Sequence, residues 1–182
     1  MDDYLNKNTD VKKAVGGDDL AAIAHFVNYG MKEGRQASSK FDVNSYRMRY
    51  KDLRSAFGYD LASYYYHYMS SGKAEGRQAT GKVTDIDGVT VYNGVDYSAV
   101  YNFNYYVNAN PDIKAAFGND DLAVLSHFVN YGMKEGRRSC EAFNVLTYRE
   151  KNGDLKAAFG DDLKQYYIHY INYGKNEGRK AA

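Results

Sequence analysis

Four histidines, His25, His67, His127 and His169, each stand eight residues ahead of a glutamate in a Glu-Gly-Arg tripeptide. The tripeptides carry Glu33 and Arg35, Glu75 and Arg77, Glu135 and Arg137, and Glu177 and Arg179. An imidazole, a carboxylate and a guanidinium at fixed spacing are the ingredients of general acid–base chemistry, which needs a nucleophile or substrate-activating partner beside the base. No serine or cysteine accompanies the histidine in all four copies, so the reading from residue types is non-catalytic. The histidines are expected to be half-buried, bonding a backbone group or a tyrosine. The arginines are expected to fork onto a carboxylate of a neighbouring repeat, with Asp10, Asp52, Asp112 and Asp154 as available partners, stapling successive units. The chain has one cysteine, Cys140, which excludes an internal disulfide and a cysteine-rich zinc site. Asp85-Ile86-Asp87-Gly88 suggests calcium but fails the EF-hand spacing, with glycine too early and no closing glutamate. No phosphate-binding glycine loop or nucleophile elbow is present, and no metal or cofactor is expected.

The elements that position these residues are repeats. HFVNYGMKEGR occurs at 25–35 and again, letter for letter, at 127–137, with looser copies at 67–77 and 169–179. The glutamates are spaced by 42, 60 and 42 residues, so the unit is 42 residues with an 18-residue insertion between copies two and three. Copies one and three resemble each other, as do two and four, so a two-repeat module recurs after 102 residues. An aromatic lead-in (Phe41, Tyr101, Phe143) reads as an extended segment ending at a helix N-cap, Asn44, Asn104 or Thr147. A first helix follows, and Asn110-Pro111-Asp112 splits it into two short pieces with the aspartate as cap. Gly16, Gly58, Gly118 and Gly160 end it, with acidic residues starting a second helix that carries the histidine. Gly30, Gly72, Gly132 and Gly174 end or bend that helix.

By helical phase, Ile23, Phe26 and Val27 in copy one, and Tyr65, Tyr68 and Met69 in copy two, form an apolar stripe. The histidine points away from it, toward a face that a neighbouring repeat would cover. The insertion changes pattern: Val89–Tyr92 and Val95–Ser98 flank Asn93-Gly94, a hairpin signal. The expected fold is mainly α, four helix-turn-helix repeats in two pairs with a small β-hairpin-like insertion. Its boundaries are 1–80 for the first pair, 81–100 for the insertion or linker and 101–182 for the second pair.

Net charge is +1, which gives no field for nucleic acid, and no apolar run is long enough to insert in a membrane. Tyrosine is over-used, with 20 Tyr, 8 Phe and no Trp. Tyr64-Tyr65-Tyr66 and Tyr166-Tyr167 cover most of a helix circumference and cannot all face one core. They are the expected ligand contacts, tyrosine being a rigid amphipathic contact residue that also stacks on sugars.

The unit Tyr-x(3)-Asn-Pro-Asp-x-Lys-Ala-Ala-Phe-Gly, followed by His-Phe/Tyr-x(3)-Gly-x(2)-Glu-Gly-Arg and best matched by Tyr106 to Arg137, covers essentially the whole chain. It resembles tandem repeats in large secreted or surface proteins of gut Clostridia, notably Lachnospiraceae. It is also similar to the immunoglobulin-binding superantigen proteins of gut commensals in that group. The resemblance departs at copy one, which lacks its lead-in, and at copy two, where Arg49-Tyr50-Lys51 replaces Ala-Asn-Pro. It implies an extracellular or cell-surface location and a non-enzymatic binding role. The expected partner is a host protein, immunoglobulin being the named case; the alternative is a cell-wall or glycan-targeting module attached to a hydrolase or adhesin. Met1-Asp2-Asp3 is no signal peptide, and copy one starts part-way through its unit, so a piece of a longer protein is expected.

Overall fold

The computed structural model describes residues 2–182. It is mainly helical, with one small antiparallel sheet, and divides into two compact units, residues 1–85 and 86–182. In the first unit, repeat one contains α1 (Asp2–Lys7), α2 (Thr9–Val15) and α3 (Asp19–His25). Repeat two contains α4 (Val43–Arg49), α5 (Lys51–Phe57) and α6 (Leu61–His67). The second unit opens with the hairpin strands β1 (Val91–Tyr92) and β2 (Val95–Asp96). Then come α7 (Phe103–Ala109), α8 (Pro111–Phe117), α9 (Asp121–His127) and the single turn α10 (Met133–Glu135). The last repeat is α11 (Val145–Lys151), α12 (Gly153–Phe159) and α13 (Leu163–His169).

The lead-in caps differ from the expected ones by two or three residues. Asp42 accepts from Ser45 N, Asn102 from Tyr105 N, and Asn144 from Leu146 N and Thr147 N. Asn44, Asn104 and Thr147 lie inside the helices instead. Val43, Phe103 and Val145 must be helical for their side chains to be buried, which pushes the cap one residue ahead of them. Each lead-in is held to the end of its own repeat: Asp42 N donates to Ala79 O, Asn102 N to Ser139 O and Asn144 N to Ala181 O.

The first helix is two pieces in every repeat, but the aspartate is not the cap. The break falls on Asn8, Tyr50, Asn110 and Asn152, all near φ −113° to −130°. The asparagine Nδ2 donates back to the carbonyl of the residue four before it, Tyr4, Tyr106 or Tyr148. In the first and third repeats the asparagine backbone N–H donates to the same carbonyl, so side chain and backbone together fix the end of the first piece. Repeat two has Tyr50 here, and the buried guanidinium of Arg54 takes over, donating to the carbonyls of Arg47 and Met48.

The hairpin forms with Val91 opposite Asp96 and Tyr92 opposite Val95. Asn93 (φ 49°) and Gly94 (φ 80°) supply the two positive φ angles of a type I′ turn. The strands are shorter than Val89–Tyr92 and Val95–Ser98. From Ile86 onward the insertion is part of the second unit rather than a linker. Ile86, Val89, Val100 and Tyr101 are buried, and Tyr101 stacks on Phe128 at 5.0 Å.

Within each unit the two repeats meet through aromatic rings. Tyr65 packs edge-on against Phe26 at 5.4 Å and its hydroxyl donates to Arg35 O. Tyr167 repeats this with Phe128 at 5.6 Å and Arg137 O. Met31 and Met133, in the first repeat of each unit, are buried; their counterparts in the second repeat, Lys73 and Lys175, are exposed. That alternation of apolar and charged residues accounts for the two-repeat period.

Candidate functional site

Each histidine ends an α-helix and begins a five-residue π-helical turn: Phe26–Gly30, Tyr68–Gly72, Phe128–Gly132 and Tyr170–Gly174. The wider turn closes with i→i+5 bonds such as Met31 N to Phe26 O and Lys73 N to Tyr68 O. One extra residue per turn re-aims the following segment, so Glu-Gly-Arg swings back over the start of its own repeat.

The histidine partner is a tyrosine 21 residues earlier. Nδ1 shares a hydrogen bond with the hydroxyl in Tyr4–His25 (2.8 Å), Tyr46–His67 (2.9 Å), Tyr106–His127 (3.1 Å) and Tyr148–His169 (2.9 Å). All four tyrosines are buried, and burial pushes the Tyr46 and Tyr148 hydroxyls up to about 12. Both are therefore protonated at neutral pH. The histidine thus turns toward the first helix of its own repeat, not toward a face covered by a neighbour.

The arginines likewise stay at home. Arg35 meets Asp10, Arg77 Asp52, Arg137 Asp112 and Arg179 Asp154, each at 2.8 Å, within one repeat. Each arginine also pairs with the glutamate of its own tripeptide, Glu33, Glu75, Glu135 or Glu177. Arg35, Arg137 and Arg179 reach the Oδ1 of the helix-break asparagine as well. In repeat two Arg77 lies 4.7 Å over the Tyr50 ring instead. The expected inter-repeat staple is therefore a clasp that closes each repeat on itself. The inter-repeat joint is aromatic.

The hydrogen bond from Arg35 holds the Asp10 carboxyl below its ordinary value, and Arg179 does the same for Asp154. Burial, with the nearby Arg137 charge, lowers His127. A group whose folded value is depressed contributes stability above its unfolded value and loses it as pH falls through the folded one. Thermal stability should therefore be level at neutral pH and begin to fall below about pH 6.5 as unfolded His127 takes up a proton. A second, steeper fall is expected below about pH 3.9 from the aspartates. Circular dichroism melts across pH 3–8 check this. His127→Gln should flatten the upper step, and an unchanged upper step would assign it elsewhere.

Of the expected ligand contacts, Tyr64, Tyr65, Tyr166 and Tyr167 are 0, 4, 0 and 1% exposed. Their hydroxyls are spent on Gly58 O, Arg35 O, Gly160 O and Arg137 O respectively. They are core and joint residues with no surface to offer. Tyr66 alone of the set is exposed, at 52%. The apolar stripe is also split: Ile23, Val27 and Met69 face solvent, while Tyr65 is buried.

The surface that residue types did not single out lies in the first unit. Leu20, Ile23 and Val27 are exposed along α3 and the turn that follows it. On the second repeat Tyr66 and Met69 are exposed, and Met69 borders a groove of about 290 Å³, lined also by Phe26, Phe41, Tyr65 and Tyr68 and rimmed by Lys40 and Lys73. A second exposed set recurs: Tyr29, Tyr131 and Tyr173 lie beside His25, His127 and His169, with rings 5.5, 5.5 and 5.6 Å apart.

Among the described residues no group of three histidine, cysteine, aspartate or glutamate side chains is gathered as metal ligands, and no helix is long and apolar enough to cross a membrane. Cys140 is buried, and burial raises its thiol. No known protein family matches the chain, and no curated protein or solved structure is significantly similar to it.

Proposed function

We propose that the chain is a non-enzymatic, extracellular binding module of a surface or secreted bacterial protein, and that it recognises a host protein. The observation that carries this is the apolar surface of the first unit, Leu20, Ile23 and Val27 with Tyr66 and Met69. Exposed large apolar side chains with an aromatic among them are what protein interfaces use. The histidines, glutamates and arginines repeated in a catalytic-looking pattern are each engaged within their own repeat. Immunoglobulin is the partner that the repeat resemblance nominates. The full chain on a sensor surface should bind purified immunoglobulin, with at least about a tenfold loss for Tyr66→Ala, equivalent to roughly 1.4 kcal/mol. Absence of binding to immunoglobulin and to whole serum would defeat the reading.

A second reading, targeting of cell-wall glycan, is favoured by the recurring exposed tyrosines. Tyr29, Tyr131 and Tyr173 each present a ring braced by a histidine, the form of aromatic platform that stacks on a sugar. Retention on purified cell walls, abolished by Tyr→Ala at these three positions and accompanied by no serum-protein capture, would establish it in place of the first.

A further inference from the structure

The recurring exposed tyrosines of the second unit each end a longer row of rings. Phe117, the last residue of α8, lies 5.7 Å from the His127 ring, and His127 lies 5.5 Å from Tyr131. Repeat four has the same row, with Phe159 to His169 at 5.9 Å and His169 to Tyr173 at 5.6 Å. The phenylalanines and histidines are half-buried and the tyrosines exposed, so every ring of each row reaches solvent. The first unit has only fragments of the row. Repeat one has Val15 in place of the phenylalanine, and repeat two has Ser71 in place of the tyrosine.

Each row also carries one fixed hydrogen-bond donor. The Tyr106 hydroxyl bonds Nδ1 of His127 in a space closed by Gly132, where an added Cβ would stand 2.3 Å from the hydroxyl. Were the imidazole the donor, the hydroxyl proton would be buried without an acceptor. The tyrosine is therefore the donor, and the neutral imidazole keeps its own proton on Nε2. Tyr148, His169 and Gly174 repeat the arrangement, with 2.1 Å between hydroxyl and added Cβ. Among the described residues nothing bonds Nε2 in either row, and neither Nε2 is buried. A buried tyrosine thus aims the Nε2–H, which is left for an oxygen from outside the chain.

We infer that the Phe117–His127–Tyr131 and Phe159–His169–Tyr173 rows are two saccharide sites that take an uncharged hexose oligosaccharide, its C–H faces on the rings and one of its oxygens on Nε2–H. This rests on the glycan reading of the exposed tyrosines and narrows it to the second unit. A few polar groups set among aromatic side chains fix the orientation of a small ligand. Neighbouring rings are tilted by 36° to 57°. The row therefore suits successive sugar units that twist against one another, not one flat ring system. Charge selects against an acidic sugar, because the charges acting on His127 are those of Arg137, Glu135 and Asp112, two carboxylates to one guanidinium. The donor is fixed before the ligand arrives, so little ordering is lost on binding.

Titration calorimetry of the full chain with cellotriose, triacetylchitotriose and sialyllactose tests this. Two sites per chain are expected for at least one of the two neutral sugars, with a Kd of about 1 mM or tighter, and none for sialyllactose. Tyr131→Ala and Tyr173→Ala should each remove one site at an unchanged melting temperature, and Phe117→Leu should weaken one site at least about tenfold. Tyr29→Ala, in a repeat without the phenylalanine, should change neither the number of sites nor their affinity. Absence of binding by both neutral sugars, binding that survives both of the first two substitutions, or a further site lost with Tyr29→Ala overturns the inference. Equally tight binding of sialyllactose overturns the charge selection and with it the ligand class. Retention on cell walls without binding of either neutral sugar would leave the glycan reading standing and reject these two sites. Two-site binding of a neutral sugar without retention on cell walls would do the reverse.

Discussion

Gly174→Ala is expected to destabilise the second unit by about 3 kcal/mol, the sum of overpacking and a broken buried hydrogen bond. The added Cβ would lie 2.1 Å from the Tyr148 hydroxyl and 3.1 Å from Tyr170. Tyr148 has nowhere to go: it is buried, bonded to His169, and packed edge-on against Tyr170 at 5.2 Å. Moving it breaks the hydroxyl–imidazole pair and loosens the ring from Phe143. Gly153→Ala, in the same repeat, is the matched control. Gly153 is the first residue of α12, with nothing within 4 Å of where the alanine methyl would stand and no positive φ. Loss of a glycine at such a site restricts the unfolded chain and should stabilise by about 0.4–1 kcal/mol. In thermal melts the first substitution should lower the melting temperature by about 10–20 °C and the second raise it by a few degrees. Equal effects would mean that the tyrosine does not fix the glycine.

That contrast separates what was readable in the chain from what was not. The repeated glycines, the 42-residue period and the asparagine-glycine turn state the helices, their ends and the hairpin directly, because each depends on local backbone geometry. The tyrosine–histidine pairing was also present, as a constant 21-residue spacing, but nothing local demanded it. The π-helical turn hid the direction of the arginines. Arg35 has Asp10 25 residues behind it and Asp52 17 residues ahead, and only the extra residue in the turn decides for the first. The lead-in caps were ambiguous for another reason. Asp42 and Asn44 are both competent caps, and the burial of Val43, a tertiary fact, selects between them. The exposed apolar residues had no sequence signal, since Ile23, Val27 and Met69 read as one stripe facing a core.

Tyr65→Ala should cost the first unit about 3–5 kcal/mol, in the range for removing a large aromatic side chain from a core. Tyr66→Ala should cost no more than about 0.5 kcal/mol, as expected for an exposed position. The two are adjacent on α6 and chemically identical, so the difference isolates placement. Three consecutive tyrosines cannot share one core face, but α6 has two. Tyr64 turns to its own repeat, edge-on to Phe57 at 5.3 Å with its hydroxyl on Gly58 O. Tyr65 turns to the preceding repeat, where it meets Phe26 and its hydroxyl donates to Arg35 O, and it also packs on Phe41 of its own repeat's lead-in. Only Tyr66 is left for solvent or a partner. Tyr65→Phe keeps the ring and deletes the bond to Arg35 O, so it should cost about 1–3 kcal/mol, the penalty of that one unsatisfied carbonyl. The consequence for function is direct. Lost ligand binding in Tyr65→Ala would report a broken joint between repeats, whereas lost binding in Tyr66→Ala at an unchanged melting temperature would report a contact. If Tyr65→Ala melts like the parent chain, the aromatic joint does not hold the two repeats together, and the assignment of Tyr65 and Tyr167 to that joint fails.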